Sequence, residues 1–254
     1  MAKRRRAVSF GKASEICHEP ETPGKTVAVL DANAHGASVM NGGADDYGTE
    51  RARLVRALAE RSRVTDARIL AAFRTVPRHR FVPPDLIPLA YEDRALPLGE
   101  GQTISQPTMI AEMLAELAPK SSDRALEIGA GSGYAAALLS RLVDDVHAVE
   151  VLPTLADRAR VTLSALGYDN VTIVTGDGRR GLPELAPFDV ILVSAFARSV
   201  PEALVAQLTP GGRLAIPVGT DDGQELVIVR NTPRGLDVTR RTPCVFVPLV
   251  SPPN

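Results

Sequence analysis

Leu126-Glu127-Ile128-Gly129-Ala130-Gly131-Ser132-Gly133-Tyr134 is the stretch that decides the fold. The apolar residues 125–128 have the length of a buried strand, and the alanine- and leucine-rich residues 134–143 have the composition of a helix. A glycine-rich link between the two sits at the carboxyl end of a parallel strand, where open α/β sheets bind their ligands. Glycines there let the backbone turn sharply and let a ligand come close. A dinucleotide turn has the spacing G-x-G-x-x-G. Here the glycines fall at Gly129, Gly131 and Gly133, and Tyr134 follows. Glu127 stands two residues before the first glycine. A carboxylate there gains nothing from a pyrophosphate but attracts the sulfonium and ammonium of S-adenosyl-L-methionine.

The segments downstream repeat the pattern. Residues 146–149 read as a second strand ending at Glu150, about 20 residues after Gly129, where an acid can accept from ribose hydroxyls. Residues 153–166 read as a helix stopped by Gly167. A third strand, 171–174, leads to Gly176-Asp177-Gly178, where Asp177 could accept from an adenine amine and Gly178 completes the turn. Residues 190–193 are a fourth strand, 200–208 a helix and 213–218 a fifth strand. Three acids after three successive strands share one rim of the sheet. The expected architecture is therefore a doubly wound, mostly parallel Rossmann-like sheet of the class I S-adenosylmethionine-dependent methyltransferase type. Residues 225–229, 236–239 and 245–250 lack helical patterning and predict an antiparallel edge.

The ends and the bulk composition set the limits. Residues 1–48 show no sustained period and predict a mostly disordered leader, with the basic run Lys3 to Arg6 as a solvated tail. Residues 49–254 are expected to form one domain: a helical and loop subregion over 49–105, a cofactor-binding core over 106–220 and antiparallel strands over 221–254. Asp66 or Thr65 should cap a helix that Pro77 ends, and 78–104 should be loop-rich, with His79 a solvated turn residue. The formal net charge of −1 gives no global nucleic-acid or membrane footprint. No apolar run approaches the about 20 residues of a membrane span. The two cysteines, Cys17 and Cys244, show neither a disulfide framework nor metal-ligand spacing, so no metal is expected and a reduced, cytoplasmic setting is.

A second set of residues resembles the protein-L-isoaspartate O-methyltransferase family. Leu98-Gly99-Glu100-Gly101-Gln102-Thr103-Ile104-Ser105-Gln106-Pro107 is similar to its signature loop. Gly176 to Gly181 with Ala186-Pro187-Phe188-Asp189, Gly212 to Gly219, and Phe246-Val247-Pro248-Leu249 resemble further blocks, in register from about residue 50 to 250. The resemblance implies methylation of the free α-carboxylate of L-isoaspartyl residues, so that isoaspartyl proteins and peptides are the partners and the enzyme a monomer. It maps the functional serine onto Ser105, cofactor contacts onto Thr103 and Ile104, and the cofactor acids onto Glu150 and Asp177. It also implies that the terminal segment binds peptide main chain. Phe196 is bulkier than the family's small residues there, which leaves a narrower substrate open.

The chemistry suits the residues. An α-carboxylate, with a reference pKa near 3.5, is already ionised at neutral pH, so no strong base is needed. Ser105 carries two readings: it can orient that carboxylate, or it can cap the apolar-periodic helix that begins beyond Pro107. Tyr134 and His147 read as packing residues. A same-fold enzyme with one dedicated peptide substrate, and a non-catalytic nucleoside-binding module, remain as alternatives; a dinucleotide oxidoreductase fits the glycine spacing less well.

Overall fold

The computed structural model describes residues 47–61 and 64–252. The leader expected over 1–48, with Cys17 and the Lys3–Arg6 run, lies outside the described residues up to position 46. From there the first helices, α1 (Gly48–Arg61) and α2 (Ala67–Thr75), pack together. Asp66 caps α2 by accepting the Arg68 N–H at 2.8 Å. Two 3-10 turns, Arg78–Phe81 and Pro84–Leu89, lead into a hairpin of β1 (Leu96–Gly99) and β2 (Gln102–Ile104). Residues 78–104 are thus more ordered than their prolines suggest.

The sheet explains the rest. After α3 (Pro107–Leu117) come β3 (Arg124–Ile128), α4 (Tyr134–Leu139), β4 (Asp145–Glu150), α5 (Pro153–Ala165), β5 (Val171–Thr175), β6 (Phe188–Val193) and α6 (Glu202–Val205). Then follow β7 (Leu208–Thr220), β8 (Gly223–Thr232) and β9 (Gly235–Cys244). Strand order is β5-β4-β3-β6-β7-β8-β9, parallel through β7 and antiparallel for β8 and β9. The chain winds outward from β3 to β5, then returns to the other side of β3 as β6. That reversal opens a crevice at the carboxyl ends of β3 and β6.

Parallel strands covered on both faces are apolar throughout, and alternate residues enter opposite cores. Ala125, Val190 and Leu192 join the cluster under α1 to α5, whereas Leu126, Ile191 and Val193 join the one under α6.

Three elements differ from the sequence expectation. Helix α4 stops at Leu139 rather than running to 143, because Asn170 Nδ2 takes the carbonyls of Ser140 and Asp144. Helix α6 is confined to four residues: Gln207, expected within it, instead ties Leu182 N–H, the Arg180 carbonyl and the Ala203 carbonyl together. Residues 245–250 form no strand. They leave the sheet edge after Cys244: the Gln224 side chain of β8 holds Phe246, and backbone pairing resumes at an isolated parallel bridge between Pro248 and Phe196.

The carboxyl end of α3 is held by Arg213 of β7. Its guanidinium donates to the Leu117 and Ala118 carbonyls and to Asp123, each at 2.8 Å. Arg213 and Asp123 are 13% and 7% exposed, so removing one strands the other in a poorly solvated place. Arg213→Met is expected to lower the unfolding free energy by about 3–5 kcal/mol in urea titrations.

Candidate active site

At the crevice the backbone does what the glycine spacing demands. Gly129, Gly131 and Gly133 have φ of 82°, 53° and 83°, in the left-handed region that side chains disfavour. The Gly131 N–H donates to Glu150 Oε2 at 2.7 Å, and the Leu152 N–H donates to Oε1 at 3.0 Å. The acid of β4 therefore grips the turn after β3 and keeps further lone pairs for a ligand. Gly178 lies so close to β3 that a Cβ would sit 2.6 Å from Ile128 Cγ2.

Two adjoining cavities wrap this turn and share Thr103, Gly129, Gly131 and Ser194 in their walls. The one of about 490 Å³ is bordered by Gln102, Glu150, Gly178 and residues 247–250. The one of about 280 Å³ is bordered by Ile104, Ser105, Glu127, Ser132 and Tyr134. The β1–β2 hairpin roofs the turn: Leu98 Cδ1 would lie 3.5 Å from a Cβ on Gly131. Arg158 donates to the Leu98 carbonyl at 3.2 Å, and Thr154 to the Glu100 carboxylate at 2.9 Å, fastening the hairpin to α5.

Glu127 is 1% exposed. Oε1 accepts from the Ser194 hydroxyl at 3.0 Å, and Oε2 is buried without a partner. Burial pushes its carboxyl up to about 8; the Ser194 bond lowers it, the nearby Glu150 charge raises it further, and the Ala136 backbone N–H lowers it slightly without making a full hydrogen bond. An orphaned carboxylate oxygen in a cavity wall fits a cationic group.

The expected residues do not all converge. Thr103, Ile104, Ser105, Glu127, Gly129, Gly131, Glu150 and Gly178 border the cavities. Gly133 lies behind the turn, where a Cβ would meet Leu163 of α5 at 3.0 Å, so it serves packing. Asp177 does not border either cavity. Both its oxygens are taken by the Arg179 guanidinium, at 2.9 Å and 2.7 Å, and Oδ1 also accepts the Arg179 N–H. That side-chain pairing holds its carboxyl below the usual range despite partial burial.

Ser105 is not a cap. The residue at the start of α3 is Gln106, whose side chain makes no capping bond. The Thr108 N–H is satisfied instead by Asp93 Oδ1 at 2.9 Å, and the Thr108 hydroxyl by Oδ2 at 2.7 Å. Gln106 Nε2 donates to the Asp93 carbonyl at 3.1 Å. The loop carrying Asp93 is itself held by the fully buried Arg78, which donates to the Ala90 and Arg94 carbonyls and lies 4.9 Å from the Tyr134 ring centre.

His79 is likewise not a solvated turn residue. It is half-buried, with Nδ1 2.8 Å from the Tyr91 hydroxyl and its ring 4.7 Å from that of Tyr47. Phe196 is buried and meets residues 247–249 through its backbone; its side chain does not border the cleft. Sequence reasoning missed Ser194, although it follows β6 as Gly129 follows β3. It also missed the Asp93 brace, which no local pattern announces.

The family model for protein-L-isoaspartate(D-aspartate) O-methyltransferase matches residues 49–253. The chain belongs to this family. A protein-L-isoaspartate O-methyltransferase of Roseiflexus sp. (strain RS-1) is 50% identical over 205 residues, covering 81% of this chain and 94% of that protein. That of Aeropyrum pernix is 48% identical over 212 residues, covering 82% of each. A solved protein-L-isoaspartate O-methyltransferase superposes with a TM-score of 0.71 at 32% identity, covering 78% of this chain and 65% of that one. A crystal structure from Plasmodium falciparum, described as a beta-aspartate methyltransferase in complex with S-adenosyl-L-homocysteine, gives 0.70 at 26% identity, covering 78% and 97%. The fold is that of the class I methyltransferases.

The raised Glu127 carboxyl has a pH signature. Below its ordinary 4.5 the group is protonated folded or unfolded. As pH rises toward about 8 the unfolded chain releases a proton that the fold retains, so stability is lost across that window. Glu127→Gln has no such loss. Its melting temperature relative to wild type, without ligand, is expected to climb between about pH 5 and about pH 8.5 in calorimetric scans.

Proposed function

We propose that the paired cavities seat S-adenosyl-L-methionine beside an isoaspartyl carboxylate, with Ser105 aiming the acceptor. As a member of its family the chain is a protein carboxyl O-methyltransferase. It methylates the free α-carboxylate of L-isoaspartyl residues in damaged proteins and peptides, initiating repair. The observation that carries the site assignment is the shared cavity wall: Ser105, free of capping duty, borders the same space as the orphaned Glu127 oxygen.

Each residue then has a task. Glu127 and Ser194 would hold the cationic end of the cofactor, and Glu150 would accept from its ribose. Gly129, Gly131 and Gly178 would give it backbone room, and Thr103 and Ile104 would close the hairpin side. Asp177 would reach adenine only by sharing its carboxylate with Arg179. When bound, the cofactor supplies an activated methyl group on a cationic sulfur. The Ser105 hydroxyl donates to the acceptor carboxylate, which arrives already ionised, and the hairpin with residues 247–250 excludes water. Holding two reactants in attack geometry supplies on the order of 7–11 kcal/mol, so positioning suffices without a base.

The described residues contain no helix long and apolar enough to cross a membrane. A monomer working in the cytoplasm on isoaspartyl polypeptides, without nucleic acid, is the setting we propose.

The test offers labelled S-adenosyl-L-methionine with an isoaspartyl peptide and its aspartyl twin. Label should enter the first alone. Label in neither would defeat the repair assignment and leave a dedicated peptide substrate or a non-catalytic binder. Ser105→Ala should lower kcat on the order of tenfold to a hundredfold. Its Kd for S-adenosyl-L-homocysteine, read by calorimetry, should stay within about twofold. Equal loss of both would refute the aiming role.

A further inference from the structure

A third cavity, of about 590 Å³, lies behind the hairpin that roofs the glycine turn. That volume suits a small molecule. Its sides come from three separate stretches of chain: residues 80–84, Leu98 of the hairpin, and Leu155, Arg158 and Thr162 of α5. Gly131 borders this cavity and both of those described above, so the glycine turn is their common partition. Phe81, Leu98 and Leu155 are buried, and Pro83 and Pro84 extend the apolar wall without adding a backbone N–H.

The charged groups here are of one sign. Arg80 and Arg158 border the cavity, and no Asp or Glu does. Both arginines are exposed, and among the described residues neither pairs with a carboxylate. Arg158 Nη1 donates to the Leu98 carbonyl at 3.2 Å, which fixes the guanidinium and leaves Nε and Nη2 to donate elsewhere. The other side of the turn is the reverse, walled by Glu127 and Glu150. The apolar hollow bordered by Val205, Val229 and Val238 carries Glu202 and no cation, so it disfavours an anion.

We propose that the third cavity is a second ligand site, for a small carboxylate with an apolar body. The body lies against Phe81, Leu98 and the prolines, and the two guanidiniums take the carboxylate. A guanidinium fork matches a carboxylate with parallel N–H···O bonds. Exposed cations alone hold an anion weakly in water, and an apolar wall alone selects no charge. The two together specify an amphiphilic anion. Neither Arg80 nor Thr162 has a part in the methyl transfer, and the cofactor brings charge of the opposite sign to the other side of the turn.

The probe is phenylbutyrate, titrated into the full chain by calorimetry with and without saturating S-adenosyl-L-homocysteine. We expect one site with a Kd on the order of 0.1–1 mM, within about threefold in the two titrations. Phenylbutanol keeps the body without the charge, and inorganic phosphate keeps a charge without the body. Each should bind at least about tenfold more weakly. Arg80→Met should weaken phenylbutyrate about tenfold, and Arg80→Lys should recover part of the loss. No hydrogen bond or ion pair of the Arg80 side chain holds the fold, so these variants serve if Arg158→Met, expected to weaken binding by a similar factor, fails to fold. Binding that S-adenosyl-L-homocysteine abolishes puts the probe in the nucleoside cavity and overturns the proposal. So does equal binding of the alcohol or of phosphate, a Kd unmoved by Arg80→Met, or no saturable heat from the wild type.

Discussion

A carboxylate in a low-dielectric wall must find a partner for each oxygen or give up its charge. Glu127 has Ser194 for one oxygen and nothing for the other, with Glu150 close enough to discourage ionisation. The site is organised around that incomplete pairing. It exists because β3 and β6 are neighbours that leave in opposite topological directions, so their ends expose Glu127 and Ser194 to one crevice. In the proposed reading a cationic ligand completes it. Glu150 is arranged differently: its charge is already met by two backbone N–H groups of the turns it touches, so it shapes the seat before any ligand arrives.

The glycine turn and the acids beside it were legible from local sequence. The strand, the turn with G-x-G-x-G spacing and the acids after β3 and β4 all rest on near-neighbour rules, and the structure has Glu127 and Glu150 where those rules put them. The misreadings share a cause. Ser105 looked like a helix cap because its neighbours suit one, yet the capping group is Asp93, which arrives from an upstream loop. Asp177 looked free because charge pairing with Arg179 is a matter of side-chain geometry rather than spacing. His79 looked solvated because it stands between two arginines, but it packs against Tyr91 and Tyr47, and Arg78 beside it is wholly buried among carbonyls. The tail looked like a strand because it is apolar and extended; its partner is a glutamine side chain.

The setting of Ser105 and the wall opposite it are assembled from pieces outside the parallel strands. Ser105 sits between a two-stranded hairpin and α3, and its setting depends on a carboxylate and a buried guanidinium reaching across loops. The opposite wall hangs from a carboxamide and one backbone bridge. Neither is specified by hydrophobic periodicity.

The β1–β2 hairpin shows where such a protein can change. It is fastened to α5 by two hydrogen bonds, one of them between solvent-exposed side chains, while its Leu96, Leu98 and Ile104 are sunk in the main core. The polar fastenings can therefore be exchanged one substitution at a time without disturbing the apolar anchor that keeps the roof over the glycine turn.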